Sequence, residues 1–321
     1  MTRPPRLLIH YDRSHLFLDA IQERHPDAEI HICDTYDGLA ADLAAFESEI
    51  IFSIKFGKGT YPRDAVLSAQ NLRWFNVGGA GIDHLTPWDP EHLTVTNSAG
   101  VAADVMAQHT MAAILSLTLA WPKFIRAQAE RRWAPAKIAS VEGRSVCVVG
   151  LGHTGAAVAR RAGAMGLRVV GVRAHPRAMD GIERVYGPDE LHAALGDGDY
   201  VVICMPLTPE TRHLIDAKAL AAMRPGAFLI DVSRGGVVDG EALVEALQSD
   251  HLTGAALDVF ETEPLPADSP FWDLDNVIVT PHSSSIDVGW ERRSALMFCD
   301  NLDHWRAGEP LERITDPVRG Y

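Results

Sequence analysis

Cysteine is scarce in this sequence, and the few cysteines are far apart. Four occur among 321 residues, without a Cys-x-x-Cys pair or a Cys/His cluster at metal-ligand spacing: Cys33, Cys147, Cys204 and Cys299. This spacing excludes a small disulfide-stapled scaffold and the common zinc sites. Two of the four lie inside apolar strand-like runs, where a thiol usually acts as a small buried hydrophobe. We therefore predict no metal site and a reducing, cytoplasmic compartment.

Long apolar runs and an excess of positive charge are also missing. The longest apolar stretch, residues 111–121, is interrupted by Ser116 and Thr118. It is shorter than the roughly 20 residues that a membrane-spanning helix needs, and the apolar segment near the N-terminus is too short for a secretory signal. The formal net charge of −14 disfavours polyanionic nucleic acids and anionic membranes as partners. We predict neither a membrane nor a nucleic-acid partner.

What the sequence does contain is a regular alternation of short apolar strands and helical patterns. The composition, 47% hydrophobic and 22% charged, is that of an ordinary globular protein, and 321 residues are enough for two domains. Strands are predicted at residues 6–10, 29–33, 50–54, 74–77, 93–96, 146–149, 169–172, 200–204, 227–231, 254–258 and 277–280. This alternation predicts an α/β fold in which helices cover parallel sheets, here in two Rossmann-like or flavodoxin-like domains.

A glycine-rich turn follows the apolar run at residues 146–149. Residues 150–155 read Gly-Leu-Gly-His-Thr-Gly, a helical pattern follows them, and the next strand pattern comes at residues 167–172. Where a strand turns into a helix, unpaired backbone N–H groups point at one place, which suits a pyrophosphate. The first glycine allows the tight turn, the second admits the phosphates, and the third lets helix and strand pack closely. We predict that a dinucleotide contacts Gly150, Gly152, His153, Thr154 and Gly155.

The strand that follows this turn ends on a basic residue, Arg173. NAD-selective sites usually have Asp or Glu here, which accepts hydrogen bonds from the ribose 2′-OH and repels a 2′-phosphate. In this chain Arg173 is followed by His175 and Arg177, with no carboxylate before Asp180. We therefore predict a preference for NADP(H). The alternative is a solvated basic turn that accepts either cofactor, so that NAD(H) stays open.

Two longer helical patterns frame the cofactor segment. One covers residues 102–129, with a break near Trp121-Pro122, and the other covers residues 287–305. We expect these two helices to cross between domains, with the reacting groups in the interdomain cleft. The predicted organisation is a discontinuous substrate-binding domain of residues 1–100 and 290–321 and a dinucleotide-binding domain of residues 101–289.

Polar residues follow three of the later strands. Arg234 comes after the strand at 227–231, Glu263 after the strand at 254–258, and His282 after the strand at 277–280. Residues beyond the carboxyl ends of parallel strands line the ligand crevice of an open sheet. Hydride exchange between a nicotinamide and a 2-keto acid needs an acid/base group and a cation that binds the substrate. His282 would move the hydroxyl proton, Glu263 would favour the charged imidazole, and Arg234 would bind the substrate carboxylate and polarise the carbonyl.

Four blocks carry a resemblance to a known family: residues 150–155, 223–239, 257–266 and 276–282. Over nearly its whole length the chain resembles the D-isomer-specific 2-hydroxyacid dehydrogenases, in particular their NADP-preferring glyoxylate/hydroxypyruvate reductase-like members. The resemblance implies that Arg234 binds substrate, that Glu263 pairs with a histidine, and that this histidine, His282, is the acid/base. It also implies that Asp258 binds the nicotinamide carboxamide. To the cofactor site we add Pro206.

The substrate site is less sharply defined by the sequence. The glycine-rich segment containing Gly78 and Gly79 is similar to the family's loop whose backbone N–H groups meet the substrate carboxylate. After His282 the chain reads Ser283-Ser284-Ser285 in place of the Gly- or Ala-containing versions often seen in the family. We expect Ser285 to contact the substrate, although the alternative is a surface turn. Both small and bulky 2-keto acids stay open as substrates.

The oligomeric state and two alternative functions remain to be considered. We expect a homodimer formed through residues 102–133, because this region combines an apolar helix with aromatic side chains, and Trp133 resembles an aromatic that reaches the partner subunit in some members. The alternatives are an NAD(H)-sensing, corepressor-like binding protein of the same fold, and a dehydrogenase of another small anion such as formate or phosphite.

Overall fold

The chain divides into two compact units. One comprises Met1–Val101 and Val288–Tyr321, and the other comprises Ala102–Asp287. The computed structural model describes residues 3–57, 59–82 and 84–317. Three expectations remain predictions. These are that one unit binds the substrate and the other the cofactor, that the reacting groups lie in a cleft between domains, and that the two long helices cross between domains.

The first unit contains a five-stranded sheet in which all neighbouring strands are parallel. Its strands are β1 Arg6–His10, β2 Glu29–Cys33, β3 Ile50–Ser53, β4 Trp74–Val77 and β5 Thr94–Asn97, and the helices between them are α1 Leu18–Arg24, α2 Leu39–Phe46 and α3 Arg63–Leu67. The order β2-β1-β3-β4-β5 is flavodoxin-like. Leu7, Leu8 and Ile9 of β1 are completely buried, as expected for a parallel strand covered on both faces.

The second unit contains a seven-stranded parallel sheet in the order β12-β11-β10-β9-β6-β7-β8. Its strands are β6 Ser145–Val149, β7 Arg168–Val172, β8 Arg184–Tyr186, β9 Tyr200–Ile203, β10 Ala227–Asp231, β11 Leu252–Leu257 and β12 Val277–Val279, and its helices are α4 Ala103–Thr118, α5 Trp121–Ala129, α6 His153–Ala164, α7 Leu191–Leu195, α8 Ala217–Ala222 and α9 Gly240–Gln248. Cys147 and Val149 of β6 pack into one hydrophobic cluster, whereas Val146 and Val148 pack into the other, so both faces of the sheet are covered. The predicted α/β class with two parallel sheets is confirmed.

The last long helix, α10 Trp290–Ala307, belongs to the first unit. It starts three residues later than predicted because Gly289 has a left-handed conformation, with φ of +81°. Phe298 on α10 stacks against Trp74 of β4 at 5.0 Å between ring centroids. The residues that the structure describes also form three short 3₁₀ helices: Ser14–Leu16, Pro188–Glu190 and Pro270–Trp272. No helix in the described part of the chain is long and apolar enough to cross a membrane.

Two further details differ from the sequence-based expectations. The break in the long helix falls before Trp121: α4 ends at Thr118, Ala120 has a left-handed φ of +56°, and α5 has a proline in its first turn. Pro122 therefore starts a helix where its missing N–H is not needed, instead of ending one. The edge strand β8 was not predicted, because its three residues have no apolar pattern.

Candidate active site

The glycine-rich turn lies at the point where the strand order of the second sheet reverses. The chain leaves β6 and β9, which are neighbours, towards opposite edges of the sheet, and ligands bind at such switch points in open α/β sheets. Gly150 follows β6 with φ of +100°, and a Cβ on it would lie 2.8 Å from the carbonyl oxygen of Cys204, just after β9. Pro206, also after β9, is exposed, and its carbonyl accepts a hydrogen bond from the Thr211 hydroxyl.

The glycines that follow have different surroundings. A Cβ on Gly155 would lie 2.0 Å from the carbonyl oxygen of Gly150, so helix α6 can start this close to β6 only with glycine there. A Cβ on Gly152 would meet nothing within 4 Å. The backbone N–H groups of Gly152, His153, Thr154 and Gly155 precede or open α6, where no intrahelical partner exists. This open, amide-lined space fits a pyrophosphate group.

Arg173 lies at the end of β7, where an adenosine ribose would be recognised. Its backbone N–H donates to the carbonyl of Tyr186, and its guanidinium contacts the Met179 sulfur at 3.6 Å. Within the described residues neither Arg173 nor Arg177 forms an ion pair with a carboxylate. Both cations are therefore available to an anionic ligand.

His282 and Glu263 are brought together by the structure. Nδ1 of His282 lies 2.8 Å from Oε2 of Glu263, and Oε1 of Glu263 accepts a hydrogen bond from the backbone N–H of Phe260 at 3.0 Å. Because a carboxylate only accepts, Nδ1 carries a proton and Nε2 is the nitrogen left for proton exchange. The two side chains are 38% and 35% exposed, so this nitrogen can be reached by a ligand.

The loop that carries His282 is fixed by Asp258. One carboxylate oxygen accepts from the Thr280 hydroxyl at 2.5 Å and the Ser283 N–H at 2.9 Å, and the other accepts from the Ser284 N–H at 3.0 Å. Burial raises the pKa of Asp258, but the hydrogen bonds from Ser284 and Thr280 outweigh burial and hold the pKa below its usual value. His282, with a left-handed φ of +51°, is thereby held in a backbone conformation that non-glycine residues rarely adopt. The sequence did not single out Thr280 or Ser284 for this function.

Arg234 follows β10 and is partly buried. Its guanidinium donates to the carbonyl of Ser233 at 2.8 Å and forms no ion pair with a carboxylate of the described residues. No hydrogen bond joins it directly to His282 or Glu263 in the described part of the chain. Strands β10, β11 and β12 are adjacent and parallel, with Asp231 beside Leu257 and Leu257 beside Val279. Since neighbouring strands lie about 4.8 Å apart, their three loops leave the sheet within roughly 10 Å of each other.

Asp231, at the end of β10, was not predicted as a site residue. It is 3% exposed, and its Oδ1 accepts hydrogen bonds from the N–H and hydroxyl of Ser233. Burial raises the pKa of Asp231 to about 7, although the two hydrogen bonds from Ser233 act in the opposite direction. The sequence signal that could have identified it is a carboxylate ending an otherwise apolar strand.

The candidate substrate residues lie in different parts of the chain. In the first unit, the Gly78 N–H donates to the Ser53 carbonyl at 2.8 Å, and a Cβ on Gly78 would lie 2.4 Å from Ile54. A Cβ on Gly79 would meet nothing within 4 Å, so Gly79 has open space for a ligand that Gly78 lacks. In the second unit, Ser285 lies in a turn and is partly exposed.

The sequence matches a known protein family and several of its members. A model of the family described as "D-isomer specific 2-hydroxyacid dehydrogenase, NAD binding domain" matches residues 111–284, more than half of the chain. The glyoxylate reductase of Korarchaeum cryptofilum is 36% identical over 265 residues, which are 78% of this chain and 78% of that protein.

Solved structures match over almost the whole chain. A D-isomer specific 2-hydroxyacid dehydrogenase from Xanthobacter autotrophicus Py2, in complex with NADPH and MES, is 35% identical with a TM-score of 0.85, covering 98% of this chain and 99% of that one. The NADPH-dependent glyoxylate/hydroxypyruvate reductase of Sinorhizobium meliloti, in complex with NADP and sulfate, is 26% identical with a TM-score of 0.81, covering 99% and 100%. The chain therefore belongs to the D-isomer specific 2-hydroxyacid dehydrogenase family, and it is an NAD(P)-dependent oxidoreductase of 2-hydroxy acids.

Proposed function

We propose that the protein reduces a 2-keto acid to a D-2-hydroxy acid with NADP(H), using His282 as the acid/base, Glu263 as its partner and Arg234 as the substrate-binding cation. The observation that carries this proposal is the 2.8 Å hydrogen bond between His282 and Glu263, which leaves Nε2 of a partly exposed imidazole free. A proton donor held in one orientation beside a reacting carbonyl is what this reaction requires.

The nicotinamide cofactor, when bound, supplies or accepts the hydride. We infer that it is held by Gly150, Gly152, His153, Thr154, Gly155, Arg173, Pro206 and Asp258. During reduction His282 gives its Nε2 proton to the forming hydroxyl, and Glu263 stabilises the imidazolium that carries this proton beforehand. In the reverse direction the neutral imidazole takes the proton back.

The proposed preference for NADP(H) has two supports. Arg173 forms no ion pair with any described carboxylate, so its charge can serve a 2′-phosphate. The Xanthobacter and Sinorhizobium relatives were solved with NADPH and NADP bound. NAD(H) stays the alternative cofactor.

For the substrate we propose small 2-keto acids, glyoxylate and hydroxypyruvate first. Relatives at 36% identity are glyoxylate reductases. The substrate carboxylate would be bound by Arg234 and by backbone N–H groups at Gly78 and Gly79, with Ser285 as a further contact. Of the two glycine N–H groups, that of Gly79 is the better candidate, because the Gly78 N–H already donates to Ser53.

The test is a steady-state panel on the full chain. Glyoxylate, hydroxypyruvate, pyruvate and a branched 2-keto acid are each assayed with NADPH and with NADH, and formate and phosphite are assayed with both oxidised cofactors. We expect turnover of the small 2-keto acids and a higher kcat/KM with NADPH. A tenfold preference for NADH rejects the cofactor proposal. Turnover of formate or phosphite alone, or cofactor binding without turnover, favours one of the two other functions.

We propose that the protein is a cytoplasmic homodimer formed through residues 102–133. Trp133 is 96% exposed, Ile125 on α5 is 59% exposed and Trp121 is 52% exposed, an apolar surface that a second subunit could cover. All four cysteines are free, which suits a reducing compartment. Analytical ultracentrifugation tests the dimer: a stable monomer at micromolar concentration rejects it, and Trp133→Ala should weaken the association.

A further inference from the structure

We propose that the Ala102–Asp287 unit carries a second small-molecule site, which binds an organic cation with an apolar body. The site is a cavity of about 440 Å³ that is lined by neighbours of Arg234 and Glu263 in the chain but not by those two residues themselves. A cavity of this size is within the range of ligand sites, roughly 300–1,000 Å³. The proposal does not depend on which substrate or cofactor the protein uses.

The walls of the cavity are mostly apolar. The lining residues belong to the loop before α9, to α9 itself, to the end of β11 and to the segment that leads into the 3₁₀ helix Pro270–Trp272. The large apolar side chains among them are Val238, Leu243, Leu257, Phe260, Leu265 and Phe271. Phe271 lies over the start of α9, where a Cβ on Gly240 would meet its ring at 3.7 Å. These side chains offer a surface for an aromatic or aliphatic ligand body.

The polar groups in the wall are predominantly acidic. Asp231, Glu241, Glu261 and Asp268 contribute. Glu261 is compensated by Arg212 at 3.1 Å and His213 at 3.4 Å. Neither Glu241 nor Asp268 forms an ion pair with a residue that the structure describes. The mouth of the cavity therefore has negative charge that attracts cations and repels the anionic 2-keto acids.

A nearly buried carboxyl, that of Asp231, also lines the cavity. Asp231 is 3% exposed. Its Oδ1 accepts both hydrogen bonds from Ser233, and its Oδ2 accepts none from a described residue. Oδ2 is therefore left open to a hydrogen-bond donor from a ligand or from water. An ammonium group supplies hydrogen-bond donors, and its positive charge favours the ionised form of this carboxyl.

The cavity is distinct from the candidate active site. Its lining does not include Arg234, Asp258, Glu263 or His282. It is nevertheless bounded by their sequence neighbours, because Gly235 and Gly236 follow Arg234 and Glu261 and Thr262 precede Glu263. An occupant would therefore lie beside the two loops that carry Arg234 and Glu263.

The test compares three ligands of nearly equal shape and different charge by isothermal titration calorimetry on the full chain. These are tryptamine, a cation; tryptophol, which is neutral; and indole-3-acetate, an anion. The titrations are made with saturating NADPH and repeated with saturating NADH, so that the nucleotide site is filled whichever cofactor the protein binds. We expect tryptamine to bind at least tenfold more tightly than either of the other two. Equal affinities of the three ligands, or no binding of tryptamine, overturn the proposal.

Two charge variants locate the binding. The double variant Glu241→Gln/Asp268→Asn should weaken tryptamine binding roughly fivefold, since two solvent-exposed charge interactions are worth about 1 kcal/mol together. The matched control is Glu245→Gln, the same change one turn further along α9 at an exposed position outside the lining, which should leave the affinity unchanged. Tryptamine binding that is as tight in the double variant as in the control overturns the proposal.

Discussion

Gly235 lies so close to Phe260 that a Cβ built on it would be 1.8 Å from the Phe260 carbonyl oxygen. This contact joins two loops of the candidate active site. Arg234 precedes Gly235, and the Phe260 N–H fixes the carboxylate of Glu263. The approach of backbone to backbone therefore links the position of Arg234, the proposed substrate-binding cation, to that of Glu263, which pairs with His282.

The first prediction is that Gly235→Ala separates these loops. The added methyl cannot fit without a backbone shift, so we expect a stability loss of about 1–3 kcal/mol and a fall in kcat/KM of roughly tenfold or more. Thermal unfolding and steady-state kinetics measure the two effects. Gly240→Ala is the control, because its Cβ would meet only the Phe271 ring at an ordinary 3.7 Å. A Gly235→Ala enzyme with wild-type kinetics contradicts the coupling.

The second prediction is that the two later glycines of the cofactor turn, Gly152 and Gly155, have different roles. Gly155→Ala should lower the melting temperature, because its Cβ would lie 2.0 Å from the Gly150 carbonyl oxygen. Gly152→Ala should leave the melting temperature unchanged and weaken NADPH binding, because its Cβ would enter space that is open within 4 Å. Gly163→Ala, further along α6 with its nearest neighbour at 3.9 Å, is the control for helix propensity. Unchanged NADPH affinity in Gly152→Ala would place the phosphates elsewhere.

The third prediction concerns the pair His282 and Glu263. His282→Gln should reduce kcat by roughly two to four orders of magnitude, as expected for a lost proton donor. Glu263→Gln should cost less, roughly 10–100-fold, because an amide oxygen can still accept the Nδ1 proton but brings no negative charge. Fluorescence titration should show NADPH affinity within about twofold of wild type in both variants. His192→Gln, at an exposed position of α7, is the control.

The fourth prediction concerns cofactor choice. Arg173→Asp should lower kcat/KM for NADPH roughly 10–100-fold, since a charge-assisted hydrogen bond is worth about 1.5–3 kcal/mol. The same variant should keep or raise kcat/KM for NADH, because the new carboxylate can accept from a ribose 2′-OH. The exposed Arg160, which pairs with Asp104, supplies the control Arg160→Ala. If the NADPH-to-NADH ratio does not change, Arg173 does not contact the 2′-phosphate.

The sequence was sufficient to predict the sheets because most of their strands are short apolar runs that are buried on both faces. Eleven of the strands were predicted near their observed positions, whereas β8, an edge strand with an exposed arginine, has no such pattern. The candidate active site could be predicted only in part. Arg234, Glu263 and His282 could be proposed from strand ends and resemblance. The Asp258 hydrogen bonds to Thr280, Ser283 and Ser284 could not, because they depend on the path of a loop that no periodicity describes.

The buried carboxyl of Asp231 makes the last prediction, a dependence of stability on pH. Burial raises its pKa from 3.8 to about 7 in the folded protein, so between about pH 4 and pH 7 the folded state binds more protons than the unfolded state. Stability contributed by the protonated carboxyl is therefore present at low pH and is lost as the pH rises through 7. Asn at this position cannot ionise, yet its side-chain oxygen can still accept the hydrogen bonds from Ser233.

We therefore expect Asp231→Asn to gain stability relative to wild type as the pH rises from 5 to 8, by about 2–3 kcal/mol. Melting temperatures of both proteins at pH 5, 6, 7 and 8 measure this difference. Asp216→Asn is the control: hydrogen bonds from the Ala219 and Lys218 N–H groups hold the pKa of Asp216 below 3.8, so its carboxyl is ionised at every pH tested. The control's difference from wild type should stay constant from pH 5 to 8. A constant difference for Asp231→Asn as well would mean that this carboxyl does not titrate between pH 5 and pH 8. Water would then reach the Asp231 carboxyl more readily than its burial indicates.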